Sequence, residues 1–183
     1  MLSRISNRFH TWAKGWLILS IIAAFVLLVN LPLADPTLVN MSLDGQFAYT
    51  PEQAFSAVAS YGDAGRAQMI WIHLADFILI TLYTSMFCLS ISWLLQRGFK
   101  LDSRMQRLNV VPILGGFFDV LENVWIITII LVYPARPTVV AWLSTISTMG
   151  KYIMGIPIVS LLVIGLVKAA MNRFKVQEAV TID

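Results

Sequence analysis

The sequence is poor in charged residues, and this deficit determines its class. Only 13% of its 183 residues are Asp, Glu, Lys or Arg, against about 25% in soluble domains. Hydrophobic residues make up 58% of the chain, and the mean hydropathy is +0.76. This composition excludes an ordinary soluble globular domain and indicates a membrane protein.

Cysteine and histidine are scarce, which restricts the chemistry open to the chain. The single cysteine, Cys88, lies in an apolar run and cannot form an internal disulfide. The two histidines, His10 and His73, lie in different segments. We therefore expect no haem, no zinc site and no other cofactor. The net charge of +3 comes from dispersed basic residues, so nucleic-acid binding is not expected.

Long apolar runs take the place of the missing charges. Each is long enough to cross a hydrocarbon core, which needs about 20 residues, and each must be helical because lipid offers no partner to open backbone groups. We predict an all-α polytopic membrane protein, a four-transmembrane-helix bundle that forms one membrane domain over residues 1–183. The predicted spans are residues 16–34, 67–95, 108–133 and 139–167.

Lysine and arginine are distributed unevenly between the two predicted sides. Ten of them fall in the N-terminal tail, in the loop between the second and third spans, and in the C-terminal tail, whereas only Arg66 and Arg136 fall on the other side. The positive-inside rule then puts both termini in the cytoplasm. We expect a multi-pass protein of the bacterial inner membrane. The first run is long for a signal peptide, so we expect it to remain as a span.

The one sizeable loop, residues 35–66, is predicted to lie outside and to contain a short amphipathic helix. Thr50 is a suitable N-cap, Pro51 suits the first helical position, and Gln53 completes a capping box. Gly62 would end the helix. Its apolar face is predicted to consist of Ala54, Phe55, Val58 and Ala59, and we expect it to lie along the outer membrane surface.

The stretch "FFDVLENVW", residues 117–125, places polar side chains near the middle of the third span. Asp119, Glu122 and Asn123 are spaced to share one face of a helix. Lys151 lies near the centre of the fourth span, where Ser144, Ser147, Thr148 and Gly155 are predicted to lie on its face. The second span adds His73, Asp76 and Tyr83, with Arg66 at its outer end.

These side chains are expensive in lipid. A central Asp or Lys costs about 2.5 to 3.5 kcal/mol on insertion scales, so they should face inward and meet one another. We expect Lys151 to pair with Glu122 or Asp119. His73, Asp76 and Arg66 are expected to line an outward-facing entrance above that pair. Closely placed carboxylates cannot all be ionised in a low dielectric, and one that keeps a proton can act as an acid or a relay.

The pattern resembles a group of small four-helix bacterial membrane proteins with no assigned activity. The resemblance covers roughly residues 60–155 and is carried by "YGDAGR", an Asp in the second span, "FDVLEN" in the third, and a Lys in the fourth. It implies only that these residues belong together. A weaker similarity, in "HLAD" and "ENVW", is to the EXPERA-type membrane proteins, and no residue role is carried over from it.

Three functions stay open at this point. The first is a site that binds, and in one version acts on, an apolar or lipid-like small molecule, with Asp119 and Glu122 as catalytic acid and base. Its ligand-binding residues would be Asn123, Lys151, Asp76, His73, Arg66 and Tyr83. The second is an accessory or assembly subunit of a larger membrane complex, in which the polar cluster is structural. The third is a proton- or cation-coupled conduit, which four helices would form only as a homo-oligomer.

Overall fold

Every regular element of the described chain is helical. The computed structural model describes residues 2–31, 42–43 and 45–182, with side chains from residue 3 to residue 174 of these. Between the helices a short 3₁₀ segment covers Arg104–Val110. The helices are α1 (Leu2–Trp12), α2 (Gly15–Val29), α3 (Pro51–Ser60), α4 (Gly62–Gly98), α5 (Val111–Leu131) and α6 (Thr138–Ile182).

Three of the predicted spans are confirmed as long apolar helices. The segments Gly62–Gly98, Arg104–Leu131 and Thr138–Phe174 are each long and apolar enough to cross a membrane. The predicted second, third and fourth spans fall within them, apart from the last two residues of the third. Among the described residues the protein is therefore a helical multi-pass membrane protein.

The first predicted span is shorter than expected. α2 has 15 residues, or about 22 Å at 1.5 Å per residue, against a hydrocarbon core of about 30 Å. It reaches a spanning length only if α1 is counted with it, and the two helices meet at a bend of 92°. The described residues thus contain three helices long and apolar enough to span a membrane, or four such spans if the bent pair counts as one. The end of the predicted span, residues 32–34, lies outside the described residues.

The short helix of the loop is present where the sequence predicts it. The side chain of Thr50 accepts from Gln53 N–H, and the Gln53 side chain accepts from Thr50 N–H, which is the predicted capping box. Gly62 follows with φ of +66°, the left-handed conformation that glycine adopts at low cost. One detail of the apolar face is wrong. Ala59 is exposed, because the face turns from Ala54 and Val58 towards Tyr61. The loop positions Asp35 and Asp44 lie outside the described residues.

The chain divides into two units. The first unit comprises Met1–Phe25, Leu82–Leu114 and Met154–Asp183, and the second comprises Val26–Thr81 and Gly115–Ile153. The core of the second unit joins the loop and α3 to the helices through Leu43, Tyr49, Phe55, Val58, Met69, Ile126, Ile129 and Ala141. Burial of this set, at about 25 cal/mol per Å² of apolar surface, holds the loop on the helices.

In the first unit, α1 is attached to the 3₁₀ segment by polar groups. The ring of His10 lies 2.9 Å from the carbonyl oxygen of Gln106 through Nε2 and 2.9 Å from Gln96 Nε2 through Nδ1. Asn109 donates to the carbonyl of Ser6 at 3.0 Å. These bonds hold the basic helix α1 against the basic loop that joins α4 to α5. None of the residues that form them is acidic. The apolar core beside them contains Ile91, Leu95, Ile158 and Leu161.

Candidate functional site

The polar residues singled out in the spans converge in the second unit. α5 supplies Asp119, Glu122 and Asn123, α6 supplies Lys151, and α4 supplies His73 and Asp76. All of these belong to the second unit. Each of these side chains would raise the free energy of the protein if it faced lipid. Their convergence away from lipid is what this cost predicts. We call this set the polar cluster; its contacts are described below as two networks, one around Lys151 and one around Asn123.

The first network is centred on Lys151. Its ammonium forms ion pairs with Glu122 and with Asp119, the latter at 3.2 Å between Nζ and Oδ1. The Glu122 side chain is fully buried, while those of Asp119 and Lys151 keep 11% and 20% of their surface exposed. The predicted ion pair is thus present, and it joins one cation to two carboxylates. Burial makes the pairing necessary, since an unpaired charge here would carry a large desolvation penalty.

Hydroxyl groups extend this network to the loop. Lys151 pairs with Oε2 of Glu122, and Thr148 donates to the other carboxylate oxygen, with 2.6 Å between Oγ1 and Oε1. The hydroxyl of Tyr49 lies 2.6 Å from Ser144 Oγ and 3.4 Å from Thr148 Oγ1. The Tyr49 N–H donates to Thr145 Oγ1 at 3.0 Å. The loop is therefore tied to the ion pair through one buried phenol.

The second network joins α4 to α5. Asn123 donates from Nδ2 to Asp76 Oδ2 at 2.7 Å, and its Oδ1 lies 2.7 Å from Nδ1 of His73. His73 is 1% exposed. Asn123 is next to Glu122 in sequence, but its side chain turns to α4 and that of Glu122 turns to α6. The predicted single polar face of α5 is therefore shared between two neighbouring helices.

Two predicted site residues have other surroundings. Arg66 pairs with Asp63, and its guanidinium lies 4.1 Å from the centre of the Tyr133 ring. Tyr83 belongs to the first unit, where its ring packs edge-on against Phe87 with 6.1 Å between centroids. The structure thus gives Arg66 a surface ion pair and a ring contact, and gives Tyr83 an aromatic neighbour.

Tyr49, Thr145 and the role of Ser144 as a phenol partner were missed from the sequence. Tyr49 lies in a loop, where no periodicity indicates which way a side chain points. The usable signal was its position directly before the Thr50 cap, since an aromatic residue there is held in a fixed direction by the helix that follows.

No metal centre is formed in the described part of the chain. Among those residues, no group of three or more His, Cys, Asp and Glu side chains could hold a metal ion. The carboxylates, the imidazole and the ammonium group of the cluster can take part in acid, base and hydrogen-bonding chemistry.

Comparison with protein-family models, curated proteins and solved structures finds no match to this chain. The resemblances given by the sequence motifs stay predictions, and function is argued from the contacts of the cluster.

Replacing Lys151 by Met is expected to destabilise the protein because Glu122 and Asp119 both lose their cation. Breaking a buried pair from one side typically costs about 3 to 5 kcal/mol. The double variant Lys151→Met/Glu122→Gln also removes the more deeply buried of the two carboxylates, so its midpoint of thermal unfolding in detergent should lie above that of Lys151→Met. Lys168→Met, an exposed lysine of the same helix, is the control and should unfold like wild type. If the fall in midpoint of the double variant equals the sum of the falls of Lys151→Met and Glu122→Gln, the two residues do not interact.

Alkaline pH is expected to weaken the attachment of the loop through Tyr49. Burial raises the pKa of the Tyr49 phenol above its ordinary value of 10.0, because the folded state favours the neutral form. Its contribution to stability is then complete below pH 10 and is lost as the pH rises through the folded pKa. The unfolding midpoint, followed from about pH 9 to about pH 11, should fall more steeply for wild type than for Tyr49→Phe. Tyr152→Phe, which removes an exposed phenol of the same unit, should fall like wild type. Parallel curves for wild type and Tyr49→Phe would contradict the assignment.

Proposed function

We propose that the second unit binds an apolar, lipid-like molecule that carries a hydroxyl group. The observation that supports this most directly is Nε2 of His73. It is buried, and no described residue gives it a hydrogen-bond partner. Buried polar atoms of native proteins almost always have partners, so this nitrogen indicates a group supplied from outside the chain.

The neighbours of His73 define what that group must be. A carboxylate only accepts hydrogen bonds, so Asp76 fixes the amide of Asn123 with its NH₂ towards Asp76 and its oxygen towards His73. That oxygen can only accept, so Nδ1 of His73 carries the proton. In the neutral ring, Nε2 then has a lone pair and no proton. The missing partner is a donor, and a hydroxyl group on an apolar molecule fits both the nitrogen and the apolar surroundings.

Each member of the cluster has a role in this proposal. His73 accepts the hydroxyl hydrogen, and Asn123 and Asp76 hold the ring in one tautomer and one orientation. The Lys151 network fixes α5 against α6 and so sets the position of Asn123. The lone pair that accepts the hydrogen bond is also a general base. The catalytic roles that the sequence suggests for Glu122 and Asp119 stay predictions, since both carboxylates are engaged by Lys151. Because His73 is buried, the side chains over Nε2 must move to admit the ligand.

A second candidate is an accessory or assembly subunit whose polar cluster is structural. The contacts of Glu122 support it, because Lys151 forms an ion pair with one of its oxygens and Thr148 donates to the other. In that case a larger membrane complex or a second copy of the chain would be the partner.

For the membrane arrangement, we propose four spans with both termini in the cytoplasm of a bacterial cell. The bent pair of α1 and α2 would form the first span, and α3 would lie on the outer surface. The ten basic residues on one predicted side support this orientation. The packing of α3 on the second-unit core supports a place at the outer ends of the helices.

Single cysteines are expected to report the topology in intact cells. In a Cys88→Ser background, Arg136→Cys should react with a membrane-impermeant maleimide, and Arg107→Cys should react only after permeabilisation, because α5 separates the two positions. Arg4→Cys distinguishes four spans from three. It should behave like Arg107→Cys if α1 and α2 cross the membrane, and like Arg136→Cys if they do not. If only Arg107→Cys is labelled in intact cells, the orientation is the opposite of the one proposed.

Binding of a hydroxyl group is expected to shift the nitrogen signal of His73. When the full chain is labelled with ¹⁵N-histidine and studied in detergent, only the rings of His10 and His73 contribute signals. The signals that disappear in His73→Gln belong to His73. Tetradecanol should shift the Nε2 signal of His73 and leave His10 in place. Tetradecane, which lacks the hydroxyl, should shift neither.

Three outcomes would contradict this function. One is a protonated Nε2 in the free protein, and another is an equal response to the alcohol and the alkane. The third is no response of His73 to tetradecanol combined with a co-purifying membrane protein, which would favour the accessory subunit. Native mass spectrometry of the same preparations, with His73→Gln as the comparison, would identify any molecule retained from the cell.

A further inference from the structure

The first unit has an open groove between the end of α4 and α6. Its volume is about 740 Å³, within the range of about 300 to 1,000 Å³ typical of ligand pockets. It is independent of the polar cluster, none of whose residues lines it. The lining residues are Trp93, Leu94 and Arg97 of α4, and Leu166, Ala169, Ala170, Asn172, Arg173 and Phe174 of α6.

The groove forms beside a close crossing of the two helices. A Cβ at Gly165 would lie 2.9 Å from Cβ of Leu94, and a Cβ at Gly98 would lie 2.8 Å from Cβ of Lys168. Only glycine permits this approach. Next to the crossing, Ala169 and Ala170 fill little space. The wider space beyond them therefore remains open between large apolar walls.

The charge of the groove has one sign. Arg97 and Arg173 are the charged residues among its described lining, and none of that lining is acidic. The guanidinium of Arg97 lies 3.8 Å from the centre of the Trp93 ring and donates to the Trp93 carbonyl at 3.1 Å. The stacked ring holds this cation at the rim, where its remaining N–H groups can reach an anion.

The negative end of α4 is also covered. Its last carbonyls would repel an anion, but Asn172 donates to the carbonyl oxygens of Arg97 and Gly98 at 3.0 and 3.3 Å. The groove thus combines an apolar floor, two guanidinium groups and a capped helix end. This is the chemistry of a lipid headgroup site at the edge of a membrane.

We propose that this groove binds one anionic phospholipid, with its phosphate between Arg97 and Arg173 and an acyl chain along Leu94, Leu166 and Ala170. The apolar lining selects a lipid over a free phosphate, which would leave that surface uncovered. The occupied leaflet is the one next to the basic loop. In the proposed orientation this is the cytoplasmic leaflet, where anionic lipids attract basic segments.

The test titrates lipids onto the full chain in mild detergent and counts bound molecules by native mass spectrometry. Wild type is expected to bind dioleoylphosphatidylglycerol about tenfold to thirtyfold more tightly than dioleoylphosphatidylcholine, as two arginines near a headgroup imply. The double variant Arg97→Gln/Arg173→Gln should lose this preference. Arg104→Gln/Arg107→Gln removes two exposed arginines outside the groove and should keep it. Ala170→Phe, at an exposed position, fills the groove and should weaken binding of the anionic lipid.

Each other result overturns the proposal. Equal binding of the two lipids by wild type would show that the groove does not select by charge. An unchanged preference in the Arg97→Gln/Arg173→Gln variant would show that the anionic lipid binds at another site. Glycerol phosphate that competes as well as the lipid would make this a phosphate site without a lipid. If the groove double variant does not fold, Ala170→Phe decides, and an unchanged affinity for phosphatidylglycerol rejects the site.

Discussion

The second unit depends on one cation that has little water around it. Lys151 forms ion pairs with both Glu122 and Asp119 between α5 and α6, and none of the three charges would be tolerated there alone. Pairing fixes the rotation of α5 against α6. The bonds then continue outwards, from Glu122 to Thr148 and from Thr148 to the phenol of Tyr49. The loop before α3 is therefore attached by a chain of contacts that starts at an intramembrane charge.

The two units use polar groups for different purposes. In the second unit they join helices through charges and side-chain hydrogen bonds. In the first unit, α1 is attached through backbone carbonyls: the amide of Asn109 donates to the carbonyl of Ser6, and the ring of His10 contacts the carbonyl of Gln106. The first unit leaves its two groove arginines without an acid in the lining. That difference makes one unit a candidate for a neutral, hydroxyl-bearing ligand and the other for an anionic lipid.

Those features that follow from local rules could be predicted from the sequence. The Thr50 capping box, three spanning helices and the pairing of Lys151 follow from residue spacing and from the cost of charge in lipid. The remaining features depend on tertiary contacts. Spacing puts Glu122 and Asn123 on adjoining positions of α5, but it does not say that one faces α6 and the other α4. It also could not reveal Tyr49, because a loop has no periodicity. The end of α2 at Val29 did have a local signal, since Asn30 and Pro32 follow it and both disfavour continuation of a helix.

Asn123 lies between the carboxylate of Asp76 and the imidazole of His73. An amide passes on electrostatic influence, since its dipole aligns with Asp76 on one side and with His73 on the other. It does not exchange protons readily at any pH a cell experiences. Asp76 can thus polarise the ring through Asn123 without receiving its proton along that route. The hydrogen-bonded path from His73 through Asn123 to Asp76 therefore does not conduct protons, and a proton conduit would have to use another path.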